Sequence, residues 1–205
     1  MNTTLYFIRH AQSAPSVREH YSKWPLSPVG RMQAQRLPDV LREYDFTRMY
    51  SSPYLRCLET IKPFVEMNGL PVKQVQELEE RVIAKALIPD FDVHWEKSWT
   101  DFHYALPECE SSHQAQARFI RAVKRIAIDN RGETIGISTH GNVIALFFHH
   151  LDPTFLQAHA DRIRNPDVFR IQAGDEGFNW DRAFKADGLE HFSTDYTTVP
   201  LDFEP

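Results

Sequence analysis

Arg9 and His10 stand together where an apolar run, Leu5 to Ile8, ends. Arg56 follows Ser51-Ser52-Pro53 near the start of a helical pattern, and His140 lies in Thr139-His140-Gly141, at the end of a second apolar run. These four residues are far apart in sequence but suit one task. Guanidinium groups present planar forks that match phosphate oxygens, and a helix N-terminus beside Arg56 adds backbone N–H groups and a favourable dipole. A neutral imidazole in such a pocket can attack phosphorus and leave again as phosphohistidine. Positive charge on Arg9 and Arg56 disfavours imidazolium, so both help to keep His10 unprotonated.

The elements that would position these groups can be read from pattern. Leu5, Tyr6, Phe7 and Ile8 form a continuous β-compatible run, the mark of a strand buried on both faces. Ser27-Pro28 is a helix-start signal, and Met32, Ala34, Leu37, Val40 and Leu41 give the helical stripe that follows. Met49 and Tyr50 predict a short second strand. Ser52-Pro53 repeats the cap-plus-proline signal before Leu55, Leu58, Ile61 and Val65, with Pro63 expected to kink or shorten that helix. Val72 to Val75 predicts a further short strand, whereas Leu78 to Ala105 has no clean period. Ser111 with Gln114 forms a capping-box pattern ahead of Phe119, Ile120, Val123, Ile126 and Ala127. Thr134 to Ser138 reads as another buried strand and Val143 to Leu151 as a buried helix. Val168 to Gln172 is a strand, Gly174 to Gly177 a turn, and the tail after Ser193 is expected to be extended. Alternating strands and helices predict an α/β sheet covered on both faces, with the site at the carboxyl ends of the strands.

Composition narrows the function. Lysine and arginine number 23 against 28 acids, a net charge of −5, so no global positive field would attract nucleic acid or anionic lipid. The hydrophobic fraction of 42% and the 25% of charged residues are those of an ordinary globular chain. Cys57 and Cys109 are too few for a disulfide framework and suggest a reducing compartment. The start Met1-Asn2-Thr3-Thr4 lacks the basic and apolar regions of a signal peptide, and no apolar run approaches the ~20 residues of a membrane span, so a cytoplasmic location is expected.

The segment Phe7-Ile8-Arg9-His10-Ala11-Gln12-Ser13 resembles the Arg-His-Gly signature of the histidine phosphatase superfamily, the phosphoglycerate mutase-like proteins. Further pieces match in order: Leu26-Ser27 through Gly30 to Gln33-Ala34; Ser51-Ser52-Pro53-Tyr54-Leu55-Arg56 to Thr60; Leu78-Glu79-Glu80-Arg81; and Thr139-His140-Gly141. The resemblance covers most of the first 150 residues, and beyond Asp152 it is limited to Asn165 and the following strand. It implies one domain over 1–205, a three-layer α/β/α sandwich with a mostly parallel central sheet, and a lid insertion over roughly 78–108. It further implies that His10 attacks phosphorus while Arg9, Arg56 and His140 hold the equatorial oxygens, with no metal or cofactor. By its place in the Leu-x-Glu piece, Glu80 would protonate the leaving alcohol and then activate water. Its carboxyl must begin protonated, and an adjacent phosphate dianion would favour that, giving activity from mildly acidic to neutral pH.

The sequence also departs from the pattern. Ala11 replaces the commoner glycine, where the main need is a backbone carbonyl that fixes the imidazole tautomer. Ser16 stands where many members carry asparagine and offers a weaker phosphate contact or none. Cys109-Glu110-Ser111 replaces a frequent Gly-Glu-Ser. Gln12 and Ser13 either touch phosphate or shape the loop, and Arg81, Gly141 and Asn142 complete the candidate binding residues. Arg81 could serve a substrate carboxylate. Glu80 competes with Glu79 and Glu77 in an acidic stretch. His149-His150 diverge on a helix with no supporting carboxylate and are read as helix-end residues, not metal ligands. Trp24, Trp95, Trp99 and Trp180 are read as core or rim packing, with Trp24 in a loop facing the pocket. The expected partner is a small phosphate monoester or a phosphoprotein, with neither nucleic acid nor membrane, and a homodimer is left open. A phosphatase is the leading expectation. Mutase-type phosphoryl transfer, a noncatalytic phospho-ligand module and a metallohydrolase are the alternatives.

Overall fold

A computed structural model describes residues 1–189. The tail after Ser193 lies outside the described residues. Six strands form one sheet in the order β3-β2-β4-β1-β5-β6. They are β1 (Thr3–Arg9), β2 (Arg48–Ser51), β3 (Val72–Gln74), β4 (Thr134–Thr139), β5 (Asp167–Gly174) and β6 (Gly177–Trp180). The first four run parallel, while β5 and β6 are antiparallel to their neighbours. This is the mostly parallel sheet expected.

The central strand β1 shows why helices cover both faces. Leu5 and Phe7 point to one side, where they pack with α4 (Ser112–Asp129) and α5 (Gly141–Leu151) through Phe119, Val123 and Phe147. Tyr6 and Ile8 point to the other, against α1 (Pro28–Leu41) and α2 (Leu55–Asn68) through Leu37, Leu41, Ile61 and Phe64. Alternate residues along a strand face opposite ways, so a continuous apolar run buries both. Helix α5 begins two residues earlier than predicted, and every residue from Gly141 to Phe148 is buried, as its all-round hydrophobicity demands.

The caps hold with one exception. Ser27 Oγ accepts from Gly30 N at 2.9 Å, with Pro28 in the first turn of α1. The Ser111–Gln114 capping box opens α4. Ser52, however, does not cap α2, whose N-cap is Tyr54 with no side-chain cap bond. The Ser52 hydroxyl accepts from Tyr54 N at 3.3 Å and lies 2.8 Å from His140 Nε2, so it serves the turn and the site. Pro63 does not shorten α2, which continues to Asn68 and stops at Gly69 in the left-handed region, φ 61°. The buried stripe Cys57, Thr60, Ile61 and Phe64 holds the helix through the missing hydrogen bond.

A single-turn 3-10 helix, Gln76–Leu78, leads into the unpatterned stretch, which contains α3 (Phe91–Thr100) and is followed by turns to Glu110. Helix α3 is anchored by Trp99, which packs edge-on against Phe102 and His149. A short α6 (Gln157–Ala160) precedes β5. No described helix is long and apolar enough to cross a membrane.

Candidate active site

Strands β1 and β4 are adjacent, parallel and in register, with Arg9 beside Thr139, so both deliver a histidine to the carboxyl end of the sheet. His10 N donates to the Thr139 carbonyl at 3.0 Å, and the two imidazole centroids are 5.2 Å apart. The loop after β2 brings in α2, whose first turn carries Arg56. Arg56 Nε donates to His10 Nε2 at 3.2 Å, and its Nη1 donates to the Tyr21 carbonyl at 2.7 Å. The guanidinium also lies over the Tyr54 ring, 4.9 Å from the centroid.

The tautomer of His10 follows from a single contact. Its Nδ1 sits 2.7 Å from the Ala11 carbonyl oxygen, which can only accept, so Nδ1 carries the proton and Nε2 presents its lone pair. The backbone carbonyl required at Ala11 is thus in place. Burial is the largest cause holding the His10 pKa well below the ordinary imidazole value, followed by the charges of Arg56 and Arg9. His140, which is fully buried, is depressed by burial first, then by Arg56, His10, Arg118 and Arg9 in that order. Both rings are therefore neutral at pH 7.

The loop that carries His10 is tied from three sides. Thr60 Oγ1 accepts from Ala11 N at 2.9 Å, and Gln33 Oε1 accepts from Gln12 N at 2.9 Å. Asn165 Nδ2 donates to the His10 carbonyl at 2.7 Å and in turn receives Gln33 Nε2 on its own carbonyl at 2.8 Å. These three positioning residues were not singled out as site residues from sequence. Thr60, Gln33 and Asn165 do lie in the matched pieces, which was the only available signal. Helix α1 packs close enough that a Cβ on Gly30 would stand 1.9 Å from the Gln12 carbonyl oxygen.

Glu80 lies across the site on the N-terminus of α5. Its carboxylate accepts from Asn142 N at 3.1 Å, Val143 N at 3.2 Å and Arg81 N at 2.9 Å. Arg118 on α4 holds the backbone beneath it, donating to the carbonyls of Glu77 at 2.8 Å, Glu79 at 2.9 Å and Glu80 at 3.3 Å. Its Nε is also 2.6 Å from Glu110. Sequence reading gave no sign of Arg118, because the contact joins a helix face to a loop about forty residues away in sequence.

Arg9, Arg56, Glu80, Gly141 and Asn142 line one cavity of about 1260 Å³. His10, 7% exposed, and His140, fully buried, are not among its lining residues; the Arg9 guanidinium rests on the bare Cα of Gly141 while its Nη1 donates to the Ile163 carbonyl. Both polar atoms of the Asn142 side chain are buried without a partner among the described residues. Other candidates are placed differently. Arg81 also lines the cavity, but its guanidinium donates to the Glu110 carbonyl, Ser112 Oγ and the Tyr104 carbonyl, so it is committed to the protein and not presented to a substrate carboxylate. Ser16 Oγ accepts from Arg18 N, and its carbonyl receives Trp24 Nε1, so its polar groups shape the loop that carries Trp24. Gln12 shapes the loop through Ser27, whose hydroxyl donates to Gln12 Oε1 at 2.6 Å, while Ser13 forms an isolated bridge with Leu26. Trp24 and Trp95 line the cavity, Trp99 is core, and Trp180 stacks on Phe148. His149 Nδ1 donates to the Phe155 carbonyl, and no three His, Cys, Asp or Glu among the described residues could hold a metal ion.

Comparison with known proteins agrees with this architecture. The chain is 28% identical to "Phosphoglycerate mutase-like protein 4" of Arabidopsis thaliana, over 74% of this chain and 70% of that protein. The structure of Bacillus stearothermophilus YhfR superposes with a TM-score of 0.74 at 26% identity, covering 87% of this chain and 95% of that one. A phosphoserine phosphatase variant from Entamoeba histolytica, in complex with phosphoserine, superposes with a TM-score of 0.71 at 17% identity, covering 90% and 97%. The resemblance after Asp152, limited to Asn165 and the following strand, lies within the matching family model, which extends over residues 5–185; the chain belongs to the histidine phosphatase superfamily, branch 1.

Proposed function

We propose that this chain hydrolyses phosphate monoesters without a metal, through a phosphohistidine on His10. The observation that carries the reading is the buried His10, whose Nδ1 faces the Ala11 carbonyl so that the lone pair falls on Nε2, 3.2 Å from the Arg56 Nε. In the first step Nε2 bonds to phosphorus as the ester P–O bond breaks. Arg9, Arg56 and His140 receive the charge that spreads over the equatorial oxygens. Glu80, lining the same cavity, takes up a proton as the phosphate dianion binds beside it, against the three amides that favour its ionised form, and gives that proton to the departing alkoxide. In the second step Glu80 takes a proton from water, whose oxygen bonds to phosphorus as the P–N bond breaks, releasing inorganic phosphate and free His10.

Hydrolysis is favoured over mutase-type transfer by the commitment of Arg81. A mutase must retain a carboxylated monophosphate, and the guanidinium best placed in sequence for that carboxylate is bonded instead to Glu110, Ser112 and Tyr104. In this reading the segment 78–108 is the lid over the one domain.

The test is phosphate release from a panel of monoesters in the presence of chelator, with wild type and His10→Ala in parallel. Chelation leaves the rate unchanged, and His10→Ala lowers kcat on the order of 10⁴-fold or more, the usual cost of removing a covalent nucleophile. Full activity in His10→Ala would overturn the mechanism. An inactive wild type that binds phosphate as His10→Ala does would make the chain a phospho-ligand module.

A further inference from the structure

The chemistry of the cavity wall bears on the alcohol half of the ester. At about 1260 Å³ the cavity exceeds the usual ~300–1,000 Å³ of small-molecule sites, so phosphate fills only part of it. Its apolar lining is formed by Ile83, Leu87, Ile88, Phe91 and Trp95, with Trp24 beside the phosphate centre, its ring centroid 6.0 Å from Arg56 Cζ. The three cations that line it are Arg9 and Arg56, which belong to the phosphate centre, and Arg81, whose guanidinium is bonded to protein oxygens. The charged residues that accompany the apolar wall are Asp92, Glu96 and Asp161, all acidic.

Such a wall rejects a second anionic group twice over. It offers no free guanidinium or ammonium to pair with it, and it places like charge beside it. Toward an apolar group the same wall is favourable, since each methylene moved from water onto it contributes about fourfold in affinity. We infer that the site selects monoesters of apolar alcohols, alkyl or arylalkyl, over carboxylated or doubly phosphorylated ones. The inference rests on the phosphate-binding floor of the proposed function and deepens that reading.

The experiment uses the full chain and two homologous series. Non-hydrolysable n-alkylphosphonates from ethyl to hexyl are titrated by calorimetry, beside 3-phosphoglycerate, and the matching n-alkyl phosphates are assayed for phosphate release. Alkyl alcohols within the series have nearly equal leaving-group basicity, so chain length reports the wall alone. Kd falls by roughly fourfold per methylene that reaches the wall, and hexylphosphonate binds more tightly than 3-phosphoglycerate. Leu87→Lys reduces the dependence on chain length and tightens 3-phosphoglycerate. A Kd independent of chain length, or tighter binding of 3-phosphoglycerate to the wild type, would overturn the inference. A Kd that falls with chain length but without any phosphate release upholds the ligand class and counts against hydrolysis.

Discussion

His10 is depressed by three causes, and only two of them could be read from sequence. Arg9 is its neighbour and Arg56 follows a recognisable turn, so their charges were foreseeable. The largest cause is burial, which depends on β1 lying between β4 and β5 and on the loop being covered by α1 and α2. The relative weights make a prediction at this scale. Arg56→Gln removes one positive charge and the Nε contact, so the His10 pKa rises, but it stays below the ordinary value near 6.5 because burial persists. Direct titration of the His10 ring by NMR checks both halves, and a wild-type ring that titrates at or above 6.5 would contradict them. In catalysis the ring must be neutral to attack, so the acidic limb of kcat/KM due to His10 lies below pH 6.5 in the wild type. It moves upward in Arg56→Gln, alongside a loss in kcat of about 10²–10³ from the missing oxyanion donor.

At the scale of elements, the N-terminus of α5 is where three requirements meet. Glu80 accepts from two of its amides, His140 precedes its first residue, and the Arg9 guanidinium lies against Gly141. A Cβ on Gly141 would stand 2.8 Å from both Arg9 Cζ and Nε, closer than van der Waals contact permits. The Gly141 backbone is not in the left-handed region, and alanine is the better helix former by about 1 kcal/mol. Gly141→Ala is therefore expected to leave the urea midpoint nearly unchanged while lowering kcat/KM at least about tenfold, since a displacement of ~1 Å at a positioning group costs that much or more. Equal losses of stability and activity would mean that the glycine serves packing alone. This element was only partly legible. The apolar run Val143 to Leu151 announced the helix, but its true start at Gly141 follows from contacts with Glu80 and Arg9. The stretch from Leu78 to Ala105 was illegible for a related reason. Helix α3 has few buried residues, and it is held by Trp99 against Phe102 and His149, residues with no periodic relation to it.

For the molecule as a whole, the sheet order couples the site to stability. Placing β1 beside β4 buries two imidazoles at the carboxyl end of the sheet, His10 at 7% exposure and His140 at 0%. Both have folded-state pKa values well below the ordinary one near 6.5. Between 6.5 and those lower values the unfolded chain binds protons that the folded chain does not, so stability falls as pH falls. The loss begins near pH 6.5, continues down to the folded pKa values, and amounts to at most roughly 1.4 kcal/mol per pH unit for each ring. The partly exposed pairs Asp152–Arg182 and Asp181–Arg170 lower their carboxylate pKa values and are lost only in more acidic solution. Asp167 and Glu79, raised by burial, act in the opposite sense as they take up protons. The histidine window is therefore read between pH 7.5 and 5.5. Urea unfolding across it should show a nearly constant stability above pH 7 and a decline below 6.5, with His10→Asn removing about half of the slope. Because asparagine does not titrate, that variant separates proton linkage from any general weakening of the fold. A slope equal in wild type and His10→Asn would mean that His10 takes up its proton as readily in the folded chain as in the unfolded one, which is incompatible with a buried neutral nucleophile.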